Sequence, residues 1–160
     1  MEASGAPFFF GIGLALAIGA FATFTRFDRE RSFYPTILMV IASYYVLFAI
    51  MGAEPWVIAW EAAGLILFGA AAVIGFKQNL WIVVAALCSH GGLDAVHEKV
   101  LANPGTPGWW PGFCIAFDLT AAIYLAARLL NHTRRLKPND SFPGSPLSPP
   151  ALRPACGWQR

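Results

Sequence analysis

Charge is scarce in this sequence. Of its 160 residues only 12% are Asp, Glu, Lys or Arg, while 57% are hydrophobic. So few charges cannot cover the surface of a folded chain of this size, which excludes an ordinary water-soluble domain. Cysteine is scarce as well. Cys88, Cys114 and Cys156 form neither a CxxC pair nor a ligand-spaced group, so free thiols are expected rather than a disulfide framework. The net charge of +2 is too small, and its cations too confined to a few short segments, to build a nucleic-acid surface. A signal peptide lacks its basic leader: only Glu2 is charged ahead of Phe8, and the first apolar run ends in Thr25-Arg26-Phe27-Asp28 without a small-residue cleavage pattern. That run reads as a retained span. No internal repeat is evident.

What is present is a series of long apolar runs separated by short charged or Pro/Gly segments. Their length matches the roughly 20 residues that a helix needs to cross a bilayer, and their continuity excludes a barrel of alternating strands. The spacing predicts an all-α, polytopic membrane protein, a bundle of five transmembrane helices over about 8–24, 35–53, 56–76, 79–101 and 110–130. Residues 1–134 form this domain; 135–160, with Pro138, Pro143, Pro146, Pro149, Pro150 and Pro154, read as a disordered cytoplasmic tail. Helix one carries Gly11, Ala15, Gly19 and Thr23 at four-residue spacing, a small-residue stripe suited to close helix packing in lipid, and helix three carries Ala71 and Gly75.

Orientation follows from the cations. Arg26, Arg29, Arg31, Lys77, Arg128, Arg134, Arg135 and Lys137 fall on one side of an alternating chain and Lys99 alone on the other. The positive-inside rule then places the N-terminus outside and the C-terminus in the cytoplasm, and short loops with so strong a bias suit a bacterial plasma membrane. Trp56, Trp109 and Trp110 land at the outer ends of their spans, the level an indole prefers.

An ionisable group inside a span costs at least about 2.5 kcal/mol at mid-bilayer unless paired, so such groups are the informative ones. Helix three has Glu61, helix four His90, Asp94 and His97, and helix five Asp118. On a continuous helix, positions 90, 94 and 97 share one narrow arc, with Gly91 and Gly92 beside it to allow a kink or close approach. Counting 1.5 Å per residue from the outer ends puts Glu61 at roughly 7 Å, Asp118 at roughly 12 Å, Asp94 at roughly 10 Å and His97 at roughly 6 Å. These groups therefore share a layer in the outer half of the membrane. Tyr44 and Tyr45 reach a similar depth, and Cys114 shares the Asp118 face four residues away. The connection Asn103-Pro104-Gly105-Thr106-Pro107-Gly108 is rigid turn chemistry that would cap the layer.

Two chemistries use such a layer. His90, Asp94, His97 and Asp118 are donors for a divalent metal, zinc or iron, with Glu61, Tyr44, Tyr45 and Cys114 lining the pocket. Alternatively, the same groups relay protons or ions in a transport component, which with so few spans calls for a homo-oligomer or a larger membrane complex. An accessory subunit whose polar groups only fix helix packing is the third reading. Nucleophilic catalysis has less support: Ser89 points about 100° from His90 and Cys88 lies further round. Glu98 and Lys99 read as solvated. The sequon Asn131-His132-Thr133 lies on the expected cytoplasmic side, away from glycosylation.

Overall fold

The computed structural model of the chain describes residues 5–136, and every regular element among them is helical. Helix α1 runs Ala6–Thr25, α2 Phe33–Gly52, α3 Pro55–Lys77, α4 Trp81–Asp94, the short α5 His97–Val100 and α6 Trp110–Leu136. Four of these, α1, α2, α3 and α6, are long and apolar enough to cross a membrane. Phe9, Phe24, Ile66 and Ile123 are each at least 70% exposed. A water-soluble domain does not display apolar side chains on this scale, whereas lipid accepts them.

Local sequence sets the helix ends. Pro7 and Pro55 occupy the first turns of α1 and α3, where a missing N–H costs nothing. Helix α1 ends where Arg26 turns left-handed at φ 67°, its N–H bonding Thr23 O, and a 3-10 turn over Phe27–Arg29 follows. Only Ala53 and Glu54 separate α2 from α3, so those two helices form a tight hairpin. The Asn79 side chain accepts the Trp81 N–H at 3.0 Å and starts α4. The last helix continues through Leu136, past the expected end of its span; the Pro-rich tail from 137 onward lies outside the described residues.

Helix α6 packs between α1 and α4; α4 in turn packs on α3, and α3 on α2, which also touches α4. The core these helices enclose includes Leu38, Phe68, Val83, Leu87, Phe117 and Leu125. The small-residue stripe of α1 faces α6: a Cβ on Gly11 would strike the Phe113 carbonyl, one on Gly19 would lie 3.1 Å from the Tyr124 ring, and Ala15 is buried. Thr23 and the Tyr124 hydroxyl meet at 2.8 Å. Because position 11 meets 113 and 19 meets 124, α1 and α6 run in the same direction. On α3 the buried small pair is Ala72 and Gly75; Ala71, expected in that role, is only half-buried.

The expected continuous helix over 79–101 is interrupted. Helix α4 stops at Asp94, Val96 takes φ −120° and its N–H bonds Leu93 O at 2.9 Å, and the chain re-forms one turn over His97–Val100. Two adjacent glycines, Gly91 and Gly92, weaken the helix before the break. The fourteen residues of α4 rise about 21 Å.

Candidate functional site

The polar layer lies at the end of the bundle where α2 and α4 finish and α3 and α6 begin. It divides into two groups. In the first, α4 presents His90 and Asp94, and α6 presents Cys114 and Asp118, each pair four residues apart on one helical face. All four are buried, and one donor atom from each lies within 4.8 Å of the others. His90 Nδ1 and Asp118 Oδ2 lie at hydrogen-bond distance, 2.7 Å, and Asp94 Oδ2 lies 3.4 Å from the same nitrogen. The Phe68 ring stands edge-on to His90 at 4.8 Å and walls the imidazole on the α3 side. Gly91 lets α6 come close, with the Asp118 Cβ only 3.4 Å from where its own Cβ would be.

The break after Asp94 carries His97 out of this group, where a continuous helix would have kept it on the arc of His90 and Asp94. His97 Nε2 instead meets Glu61 of α3, at 3.1 Å from Oε1 and 3.3 Å from Oε2. The Asn103 amide donates to Glu61 Oε1 at 2.8 Å and to the Tyr45 carbonyl at 3.1 Å. His97, Glu61 and Asn103 therefore form the second group, which fastens the connection between α5 and α6 onto α2 and α3. Glu98 and Lys99 are exposed, as expected.

Tyr45 stands between the groups. Its ring stacks on His97 at 4.0 Å and lies 6.2 Å from His90. Tyr44, the other expected lining residue, is elsewhere. One step along the helix turns it about 100° away, so it packs against Trp110 at 4.8 Å. There it lines an apolar groove of about 410 Å³ between α1 and α2, whose floor on α6 includes Phe113 and Cys114.

Two residues of the site carried little signal in the sequence. Asn103 looked like turn chemistry, and its reach to Glu61 depends on a fold that brings a loop against α3. Phe68 was one apolar residue among many in α3. The connection that Asn103 anchors is packed without slack: a Cβ on Gly105 would run into the Phe48 carbonyl oxygen and lie 2.8 Å from its carbon. Gly105→Ala is therefore expected to cost about 1–3 kcal/mol of stability in detergent unfolding. Gly108→Ala, where a Cβ meets nothing within 4 Å, should leave the unfolding midpoint unchanged. Equal midpoints for both variants would show that the loop is not seated on α2.

Chemically, the first group offers an imidazole nitrogen, two carboxylates and a thiol, a donor set suited to zinc or ferrous iron. Tetrahedral ligation with bonds of about 2.0–2.3 Å needs donors about 3.3–3.8 Å apart, so the widest separation would close by about 1 Å and the 2.7 Å His90–Asp118 contact would open. Both Asp94 oxygens, Asp118 Oδ1 and the Tyr45 hydroxyl are buried without a hydrogen-bond partner among the described residues. Each such orphan costs about 1–3 kcal/mol, and the first group holds three of them on its two aspartates, against His97 Nδ1 alone in the second group. No protein family, curated protein or solved structure matches the chain, so the chemistry of these side chains carries the functional reading.

Proposed function

We propose that this chain is a five-span membrane protein that binds one divalent metal ion, zinc or ferrous iron, through His90, Asp94, Cys114 and Asp118. The observation that carries the reading is the convergence of four buried donor atoms within 4.8 Å, at two aspartates of which three oxygens accept no hydrogen bond among the described residues. A cation at their centre supplies the charge and the ligation that the surrounding helices leave unmet. Cys114 replaces His97 in the ligand set expected from the sequence.

The same direction of α1 and α6 supports the fifth crossing: parallel helices are separated by an even number of reversals, and the count reaches four only if α4 with α5 traverses the layer between α3 and α6. The cations collect at the end of the bundle opposite the site, which favours the N-terminus and the metal centre outside, the C-terminus in the cytoplasm, and a bacterial plasma membrane as the location. The bilayer is then the chief partner.

A second reading keeps the His90–Asp118 contact of 2.7 Å as a proton-sharing pair in an ion-coupled transport component, a role that needs no metal. Elemental analysis of the purified protein, loaded with zinc or ferrous iron under reducing conditions and then dialysed, separates the two. The expected result is near-stoichiometric metal in the parent chain and its loss in His90→Ala and Asp118→Ala. Well-folded parent protein that retains no metal sinks the metal reading and leaves pH-dependent flux in proteoliposomes as the next test.

A further inference from the structure

The opposite end of the bundle holds a larger cavity of about 850 Å³. The connection after α1 contributes Arg29 and Arg31 to its lining, and the last turns of α6 contribute Arg128, His132 and Arg134. Asp28 is the one acidic residue in the lining, and it is already engaged: it accepts the Thr23 hydroxyl at 2.8 Å and pairs with Arg128. Among the described residues Arg29, Arg31 and Arg134 have no carboxylate within salt-bridge distance. Three guanidinium groups from two separate stretches of chain thus line one space without a carboxylate paired to any of them among the described residues.

The bias that orients a membrane protein requires cations on one side; it does not require them to converge on a cavity. Arg26 and Lys77 sit at the same end and do not line it. The wall between the arginines is apolar, made by Leu80, Leu125 and Leu129, with the Tyr34 ring beside them. Guanidinium forks beside an apolar wall at the membrane surface match a phosphate ester that carries hydrocarbon.

We propose that this cavity binds the phosphate group of an anionic phospholipid, with Arg29, Arg31 and Arg134 holding the phosphate and the leucine wall accepting the adjoining glycerol and acyl carbons. The site is independent of the metal reading at the other end of the bundle.

The test is native mass spectrometry and thermal unfolding of the full chain with phosphatidylglycerol, with phosphatidylcholine and with inorganic phosphate. Phosphatidylglycerol is expected to be retained and to raise the unfolding midpoint, and phosphatidylcholine to do neither. The double variant Arg31→Gln/Arg134→Gln should bind phosphatidylglycerol about tenfold more weakly or worse while unfolding like the parent chain in phosphatidylcholine. Arg26→Gln, at the same end but outside the cavity, should bind like the parent. If Arg26→Gln weakens binding as much as the double variant, diffuse surface charge accounts for the affinity and the site is overturned. Equal retention of both lipids overturns it too. Inorganic phosphate that displaces the lipid at matching concentration keeps the phosphate chemistry and overturns the lipid as its source. Should the double variant fail to fold, Arg29→Gln/Arg134→Gln repeats the comparison.

Discussion

Glu61→Ala is expected to destabilise the protein by about 3–5 kcal/mol, the range for removing one partner of a buried polar pair. Glu61 is the common acceptor of His97 and the Asn103 amide, and it is 7% exposed, so alanine leaves two buried donors with nothing to bond. No other carboxylate bonds either donor among the described residues. Loss of the Asn103 contact also frees the connection between α5 and α6, so protease cleavage within 101–109 should accelerate along with the fall in unfolding temperature. Glu61→Gln retains an acceptor oxygen for one donor and should lose only about 1 kcal/mol. An alanine variant as stable and as protease-resistant as the parent would show that the second polar group does not fasten the loop.

Asp94→Asn should act with the opposite sign. Both oxygens of Asp94 are buried without hydrogen bonds, and its nearest basic atom is His90 Nδ1 at 3.4 Å. In the metal-free protein that carboxylate is a burden, and an isosteric amide removes its charge. The metal-free variant is therefore expected to match or exceed the parent's stability, within about 1 kcal/mol. Its metal affinity should fall at least about 10-fold, since a neutral amide is a poor ligand for zinc or iron and even outer-shell changes reach that size. Retained metal together with a clear loss of metal-free stability would identify Asp94 as a structural group and remove it from the ligand set. Measured beside Glu61→Ala, the pair separates a residue kept for the fold from one kept for chemistry.

The gathering of the polar residues at one level along the helices was legible because rise per residue converts sequence position directly into distance from a helix end. Glu61, His90, Asp94, His97 and Asp118 do occupy one end of the bundle together. Rotation about each helix was harder to read. Helix α2 buries Tyr34, Leu38, Ile41, Ala42, Tyr45 and Ala49, a regular helical face, but its outward face is apolar too, so hydropathy could not show which of Tyr44 and Tyr45 turns inward. The Cys114–Asp118 spacing was readable, and so was the α1 stripe that seats on α6, since small residues stand out in a span where large ones do not. The break after Asp94 was not. Gly91 and Gly92 permit a break, but its place is set by the contacts that His97 and Asn103 make with Glu61, 36 and 42 residues back along the chain. That one unseen turn divided the expected ligand set in two.

The interruption of α4 has an electrostatic consequence. Peptide dipoles aligned along a helix leave the equivalent of about half a negative charge at its C-terminal end, effective over the final turn. Had α4 continued to Leu101, that partial charge would have emerged at the end of the bundle, where solvent and salt screen it. Ending at Asp94 leaves it inside the bundle, one turn beyond His90 and level with the four donors. The backbone thereby adds its own negative potential to that of the two aspartates, and a positive ion is favoured at this depth before any side chain ligates it.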